Sequence, residues 1–244
     1  MPRPKITLHI LSSLDGRITG SFEQCVDAAA SDAFKRIGFE QGPDAVFDFQ
    51  GWIYGTVTSS SYFAKGEPDI RPDAAPVSAG DFLTNMDAPC YYIAFDRAGK
   101  LGWQSNQTAY AGHPATVLEV LTQQASNGYK DFLRRLDIPY IIAGESDIDI
   151  PLALEKLSSL FHLSNLLLGG GGVLNWSFVQ AGLCDEISII VTPAIDGEPD
   201  SARLFNASFA GNPRPIGFSL QSVQTLPGDA LWVRYMLRGL GGIA

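Results

Sequence analysis

The stretch LLLGGGGVLNWSFVQA, residues 166–181, decides the fold class of this chain. An apolar run typical of a buried strand leads directly into four glycines, and a helix-like segment follows over residues 173–181. A strand, a glycine loop and a helix start in this order indicate an α/β protein. Such a junction can hold a phosphate, because glycine adopts φ > 0 and the first helical turn offers free N–H groups. A tight turn without a ligand is the alternative.

The spacing of the glycines excludes two common phosphate-binding motifs. A Rossmann G-x-G-x-x-G that begins at Gly169 would need a glycine in place of Leu174, and one that begins at Gly170 would need it in place of Asn175. No Lys-Ser or Lys-Thr pair follows, so the loop is not a P-loop. An anion here would be held by backbone N–H groups and a few placed cations.

Outward from the glycine loop, strand-like and helix-like segments alternate. The apolar patterns predict strands over residues 5–11, 45–54, 89–95, 139–143 and 163–168, and helices over residues 28–39 and 150–160. Three further strands, over residues 186–192, 218–226 and 231–237, follow one another. We therefore expect a single α/β domain over residues 1–244, with a mixed, mostly parallel central sheet flanked by helices and with antiparallel C-terminal strands. Residues 66–88, rich in proline and aspartate, are expected to form a surface loop.

Composition and charge exclude several classes of function. The net charge of −9 and the pI near 4.7 argue against nucleic acid as a partner, because binding to a phosphate backbone needs clustered cations. No apolar run reaches the roughly 18 residues of a membrane span and no signal peptide is recognised, so we expect a cytoplasmic protein. Cys25, Cys90 and Cys184 show neither a disulfide framework nor a metal pattern. We expect them to be reduced and buried, and we expect no metal site.

Three local patterns stand in a characteristic order. Residues 13–18 read Ser-Leu-Asp-Gly-Arg-Ile after the first strand, residues 55–58 read Gly-Thr-Val-Thr after a later strand, and the glycine loop precedes Asp185-Glu186. With these patterns the chain resembles the reductase domain of riboflavin biosynthesis, in the dihydrofolate-reductase-like superfamily. The similarity extends over most of the chain. No cytidine-deaminase zinc signature is present, so we expect a stand-alone reductase-type domain.

The resemblance implies a cofactor and a reaction. Members of this family transfer a hydride from NADPH, with NADH as the alternative cofactor. Their usual substrate is a ribosylaminopyrimidine phosphate whose ribose opens and is reduced, as in 5-amino-6-(5-phosphoribosylamino)uracil reductase and diaminopyrimidine reductase. The resemblance therefore implies a small-molecule substrate, with neither nucleic acid nor membrane as a partner, and a homodimer formed through the sheets.

The resemblance also implies which residues form the site. The loop of residues 13–18 would border the nicotinamide and the substrate, with Asp15 and Arg17 in catalytic roles and Gly16 and Ile18 against the cofactor. The residues after the 163–168 strand would hold the cofactor pyrophosphate: Gly170, Gly171, Gly172, Val173 and Leu174. Other cofactor contacts would come from Gly55, Thr56 and Thr58, and from Asp96 and Arg97 near the adenosine ribose.

The chemistry of these side chains leaves alternatives open. Asp15 could donate a proton or stabilise charge near the carbon that accepts the hydride, or it could cap its own turn. Arg17 could meet a substrate phosphate or be a surface cation. Asp96 favours NADH, because it would bind a ribose hydroxyl and repel a 2′-phosphate, whereas Arg97 and the nearby Lys100 favour NADPH.

Two departures from the family pattern bear on function. Gly169 stands where the family usually has a glutamate, which removes a carboxylate that could hydrogen-bond substrate. Thr56 stands where a basic residue commonly helps to bind the 2′-phosphate. A second hypothesis is therefore a non-catalytic nucleotide-binding protein that kept the cofactor cradle and lost the reductase chemistry. A third is a structural dimer module that binds no cofactor.

Overall fold

The computed structural model describes residues 3–208 and 214–238 of the chain. These residues divide into two units. The first unit contains Gln50–Leu166 and the residues before Lys5, and the second contains Lys5–Phe49 and the residues from Leu167 onward. The single domain predicted over residues 1–244 stays a prediction beside this division.

The strands and helices alternate along most of the chain, and three strands come last. In chain order they are β1 (Lys5–Ser12), α1 (Ala28–Phe39), β2 (Gly51–Gly55), α2 (Thr56–Tyr62), β3 (Tyr91–Phe95), β4 (Gln107–Tyr110), β5 (His113–Leu121), α3 (Asn127–Arg135), β6 (Tyr140–Ile142), α4 (Ile150–Phe161), β7 (Asn165–Gly170), α5 (Gly172–Gln180), β8 (Glu186–Val191), β9 (Phe218–Thr225) and β10 (Leu231–Leu237). A short 3₁₀ helix, Ser21–Cys25, precedes α1.

Parallel strands form the middle of the first unit. The order is β4-β5-β3-β2, with β6 beside the carboxyl-terminal half of β5. The pairs β2/β3, β3/β5 and β5/β6 are parallel, and only the short β4 runs antiparallel to β5. Strand β3 is buried along its whole length, as expected for a parallel strand covered on both faces. The carboxyl ends of β2, β3 and β5 therefore lie at one edge of this sheet.

The proline-rich segment of residues 66–88 is docked rather than free. Phe82 and Tyr140 exchange backbone hydrogen bonds of 2.9 and 3.0 Å, so the segment adds one bridge to the open side of β6. The Asp81 carboxylate accepts from Ile142 N at 2.8 Å and pairs with Lys156 Nζ at 2.9 Å. Covering a short edge strand in this way satisfies backbone groups that would otherwise face water.

The second unit has the strand order β7-β1-β8-β10-β9. Strands β1 and β8 are parallel, whereas β8/β10 and β10/β9 are antiparallel. Helix α1 packs on this sheet through Ala30 and Ile37, which form an apolar cluster with Ile190 and Trp232. Burial of these side chains is the main source of stability for such a layer.

A buried histidine completes this core. The Nε2 of His9 lies 3.0 Å from Phe34 O, and its Nδ1 lies 2.9 Å from Ser188 Oγ. A carbonyl oxygen only accepts, so Nε2 carries the proton and Nδ1 accepts from the hydroxyl. Gly38 allows this close packing, because a Cβ at that position would lie 2.3 Å from the His9 ring. Desolvation by burial lowers the pKa of His9 to about 4.

The predicted α/β class, the mixed sheets and the antiparallel C-terminal strands are confirmed. The strand expected over residues 45–54 begins only at Gly51, and the central strand β5 and helix α3 were not predicted. Strand β5 has no clear sequence signal, because Pro114 and Glu119 interrupt its apolar pattern. Its parallel pairing with β3 and β6 places it in the sheet. The expectation of three buried thiols was wrong for Cys25, which is exposed at the end of the 3₁₀ helix.

Candidate functional site

The loop of residues 13–18 follows β1 in the second unit and is folded tightly on itself. Ser13 N donates to Arg17 O at 3.0 Å, and Gly16 N donates to Ser13 O at 3.1 Å. Gly16 has φ of 74°, and a Cβ there would meet no atom within 4 Å. Glycine is therefore required for the backbone conformation and not for space. This loop presents an open backbone surface at the carboxyl end of β1.

The Asp15 carboxylate accepts three hydrogen bonds from neighbouring residues. Its Oδ1 accepts from Ser13 Oγ at 2.6 Å and from Asp196 N at 3.1 Å, and its Oδ2 accepts from Gly197 N at 3.1 Å. These hydrogen bonds, that of Ser13 first, lower the pKa of Asp15 to about 2. The side chain is therefore a carboxylate at neutral pH, and it joins its own loop to the loop that follows β8. A carboxylate can stabilise positive charge but does not donate a proton.

The Arg17 side chain also contacts neighbouring loops of the protein. Its Nη1 donates to Ser201 O at 2.7 Å, and its Nε lies 3.7 Å from Asp15 Oδ2. Only 12% of the side chain is exposed. The guanidinium thus holds the 13–18 loop against the segment around Ser201.

The glycine loop, residues 169–172, joins β7 to α5 as the sequence predicted. The Gly170–Gly171 peptide bond is cis and Gly170 has φ of 103°. Helix α5 begins at Gly172 with Gly171 as its N-cap, where no side chain caps the helix, and its first turn carries no acidic residue. The first-turn N–H groups have no intrahelical acceptors. Together with the positive end of the helix dipole, they fit an anion such as a cofactor pyrophosphate.

Residues 201–206, which we call the brace, connect these two loops within the second unit. Leu204 N donates to Gly16 O at 2.8 Å, and Asn206 N donates to Gly172 O at 2.9 Å. The backbone approach is close, since a Cβ at Gly172 would lie 2.2 Å from Arg203 O. Gly172 is therefore needed for packing against the brace. The brace was not predicted, because its residues show no strand or helix periodicity.

The Gly-Thr-Val-Thr pattern lies in the first unit, at the carboxyl end of β2. Gly55 pairs with Phe95 in the parallel register, and Thr56 Oγ1 donates to Phe95 O at 3.1 Å. Thr56 thus connects the start of α2 to the end of β3. Thr58 lies two residues further along α2 and is half-buried.

Asp96 follows β3 and is turned into the protein. Only 1% of the residue is exposed, and its Oδ2 accepts from Lys100 N at 2.5 Å and from Leu101 N at 2.9 Å. Desolvation by burial raises the pKa of Asp96. The next residue, Arg97, is half exposed and pairs with Asp147 at 2.6 Å. The charges that this turn presents to solvent are therefore those of Arg97 and Lys100, whereas the Asp96 carboxylate accepts hydrogen bonds within the turn of residues 96–101.

A second buried carboxyl group lies behind this turn and was not predicted. Glu119 Oε1 accepts from Trp103 Nε1 at 2.5 Å and from Tyr129 Oη at 3.0 Å. Tyr129 Oη also lies 3.1 Å from Leu101 O. Desolvation and the nearby Asp96 raise the pKa of Glu119 well above its usual value. A lone glutamate in an unrecognised strand gives no sequence signal of such a network.

Of the predicted site residues, Asp15, Gly16, Arg17 and Ile18 are brought next to the glycine loop by the brace, together with Val173 and Leu174 in the first turn of α5. Gly55, Thr56, Asp96 and Arg97 form a second group at the ends of β2 and β3. The Asp185-Glu186 pair stands at the start of β8, where Asp185 accepts from Ile6 N and Glu186 pairs with Lys5 and Arg234, so both carboxylates have structural partners. Over residues 3–208 and 214–238, no cluster of ligating side chains suits a metal ion. None of the helices described there is long and apolar enough to cross a bilayer.

Comparison with known proteins gives the same picture of the fold. A family model described as the RibD C-terminal domain matches residues 100–231. The structure of Acinetobacter baumannii RibD superposes with a TM-score of 0.62 at 22% identity, over 97% of this chain and 58% of that one. A pyrimidine reductase-like protein from Corynebacterium diphtheriae superposes with a TM-score of 0.65 at 14% identity, over 97% and 92% of the two chains. The predicted dihydrofolate-reductase-like fold is thereby confirmed.

A curated relative is similar in sequence. The 2,5-diamino-6-ribosylamino-4(3H)-pyrimidinone 5′-phosphate reductase of Methanothermobacter thermautotrophicus is 29% identical over 125 residues, which are 51% of this chain. The match spans 56% of that relative, so this chain corresponds to about half of its length.

Proposed function

Since a family model matches more than half of its residues, the chain belongs to the RibD C-terminal domain family, and we propose that it is an NADPH-dependent reductase of the riboflavin-pathway type. Its substrate class is a phosphorylated ribosylaminopyrimidine, by analogy with the substrate in the name of the archaeal relative. The observation that carries the proposal is the brace, which holds the 13–18 loop and the uncapped start of α5 side by side.

The glycine loop and the first turn of α5 are the proposed pyrophosphate site. Their N–H groups supply positive potential without a cation, which suits a chain of net charge −9. Gly170, Gly171, Gly172, Val173 and Leu174 provide this surface. In the first unit, Gly55, Thr56, Thr58, Asp96 and Arg97 remain the candidates for further cofactor contacts.

The proposed chemistry is reduction of a C=N or C=O carbon of the opened ribosylamine. When bound, NADPH supplies the hydride. The heteroatom also needs a proton, which a C=N group protonated from solvent before hydride transfer already carries. Asp15 does not supply this proton, because its pKa of about 2 keeps the group ionised. As a carboxylate, Asp15 instead favours a protonated, positively charged C=N group beside it. Arg17 contacts both Asp15 and Ser201 O of the brace, and its proposed role is to position them.

Fluorescence titration with NADPH and NADH, side by side at physiological salt, tests the cofactor assignment. Micromolar binding with a preference for NADPH is the expected result. Oxidation of NADPH that depends on a ribosylaminopyrimidine phosphate would then establish the reaction. If neither nucleotide binds, the likeness is one of fold alone and the reductase proposal is wrong.

A non-catalytic nucleotide-binding protein is the second candidate, and two observations favour it. Gly169 replaces the glutamate usual in the family, and both oxygens of the remaining carboxylate, Asp15, already accept hydrogen bonds. This candidate predicts nucleotide binding without turnover across a broad substrate panel. Turnover that Asp15→Asn abolishes would exclude it.

We also propose that the chain forms a homodimer through the outer face of β9 and β10. Trp232 turns into the core with α1, so its neighbours Leu231 and Val233 point to the opposite face. Across the ladder, Val223 pairs with Val233, and Leu220 lies on the same side after a bulge. Leu220, Val223 and Leu231 are 59%, 51% and 42% exposed, which makes an apolar patch of the kind that mediates association.

A further inference from the structure

Asn175 is a buried polar residue in the first turn of α5, and none of the roles proposed above uses it. Its side chain is fully buried, and its amide lies against the glycine loop, 3.4 Å from a Cβ built at Gly170. Burial of an amide is unfavourable unless hydrogen bonds compensate. Among the described residues, Asn175 Oδ1 has no hydrogen-bond partner. The cost of burying this amide must therefore be offset by the hydrogen bond that Nδ2 donates.

The Nδ2 group of Asn175 donates a hydrogen bond to the brace. Asn175 Nδ2 donates to Leu204 O at 2.9 Å, while the backbone N of Asn175 donates to Gly171 O at 3.0 Å. The contact also defines the amide orientation, because a side-chain oxygen facing Leu204 O would place two acceptors together. Asn175 is thus bonded to the N-cap of α5 through its backbone and to the brace through its side chain.

Leu204 is the residue at which the brace meets the other loop. Its N–H donates to Gly16 O at 2.8 Å, and two residues earlier Ala202 O accepts from Ile18 N at 2.9 Å. One peptide segment therefore receives a hydrogen bond from Asn175 on its carbonyl side and gives one to Gly16 on its amide side. A shift of Leu204 would change the position of the 13–18 loop relative to the glycine loop.

We infer that Asn175 is a positioning residue that sets the spacing of the 13–18 loop and the glycine loop by fixing Leu204. The inference rests on the proposed function, since that spacing matters for a cofactor lying along both loops. It goes beyond that function by assigning the coupling to a buried residue outside the proposed contacts with cofactor and substrate.

The variant Asn175→Leu separates positioning from stability. Leucine has a similar shape and removes the unsatisfied oxygen, but it leaves Leu204 O without its donor, so a merely structural role predicts a lower thermal midpoint and an unchanged nucleotide affinity. The positioning role predicts in addition a Kd for NADPH raised ~10-fold, which corresponds to about 1.4 kcal/mol. It also predicts faster hydrogen exchange of the Ile18 and Leu204 amides, again ~10-fold.

Ser177→Ala is the matched control, because it removes a side-chain hydrogen bond of the same helix, Ser177 Oγ to Val173 O at 2.9 Å, without touching the brace. It should change neither readout. Asn175→Asp, which keeps the size and loses the donor, serves if the leucine variant does not fold. Wild-type exchange rates at Ile18 and Leu204 in the substituted protein would overturn the inference. If wild-type protein binds neither nucleotide, the proposed function is wrong, and the exchange measurement still decides the coupling.

Discussion

At the scale of single residues, hydrogen bonds from distant loops determine what the carboxylates of this protein can do. Asp15 accepts from Ser13 within its own turn and from the backbone at Asp196 and Gly197. Asp96 accepts from the backbone of its own turn and is buried. The first group is therefore held ionised and the second is held away from solvent, although both follow a strand in the same way.

Replacement of Ser13 tests the origin of the Asp15 charge. The Ser13 hydroxyl makes the largest contribution to lowering the pKa of Asp15 to about 2, against an ordinary value of 3.8. In Ser13→Ala we expect the pKa to move back toward the ordinary value, measured by ¹³C NMR titration of the side-chain carboxyl. Ser21→Ala is the control, because Ser21 bonds to Asp196 and not to Asp15. An unchanged titration in Ser13→Ala would contradict this account.

His9 should make stability depend on pH. The folded pKa is about 4 and the ordinary value is 6.5. Between these values the unfolded histidine binds a proton that the folded one does not, so the free energy of unfolding falls as the pH falls from 6.5 to 4. At 1.36 kcal/mol per unit the loss is on the order of 3 kcal/mol.

Urea unfolding at several pH values measures this loss. His9→Gln should remove most of the slope between pH 6.5 and 4, at some cost in stability at neutral pH because the packing against Phe34 changes. His162→Asn, at the exposed left-handed cap of α4, should keep the wild-type slope. Equal slopes in wild type and His9→Gln would show that another group is responsible.

At the scale of elements, the start of α5 depends on a backbone contact that only glycine allows. A Cβ at Gly172 would lie 2.2 Å from Arg203 O, and neither atom can rotate away, because the oxygen belongs to the main chain and the Cβ is attached directly to Cα. The substitution Gly172→Ala must displace the brace or the helix start. We expect a loss of about 1–3 kcal/mol in the free energy of unfolding, as for other overpacked sites.

The same variant should lose nucleotide affinity, because the displaced N–H groups are those proposed to hold the pyrophosphate. Denaturant unfolding and NADPH titration measure the two effects. Gly217→Ala is the matched control, since its Cβ would make an ordinary contact of 3.5 Å with the Arg238 side chain. Wild-type affinity in Gly172→Ala would argue against the glycine loop as the cofactor site.

At the scale of the whole molecule, the exposed apolar face of β9 and β10 predicts association. Light scattering should give a mass near twice the 26.3 kDa of the chain. Val223→Lys places a charge in the middle of the patch and should yield monomers, because a buried unpaired ammonium is unfavourable at an interface. Gln224→Lys, on the other face of the same strand, should remain dimeric. A monomeric wild type at micromolar concentration would refute the homodimer.

The sequence by itself determined the α/β class, the strand-glycine-helix junction at residues 166–181 and the resemblance to the reductase domain. These properties are local, because the period of apolar residues and the conformational range of glycine act over a few residues. Strand β5 was not predicted, because Pro114 and Glu119 break its apolar pattern. The brace was not predicted either, because its residues show no periodic pattern.

Only the tertiary structure decided how the site residues are used. Asp15 is ionised, Arg17 is bonded to Ser201 O and Asp96 is turned inward because strand register brings loops from distant parts of the chain into hydrogen-bond contact. Such contacts depend on the alignment of whole strands, so a short motif does not contain them. The physical reason is that a side chain's charge state and orientation follow from its burial and its partners, and both are set by packing.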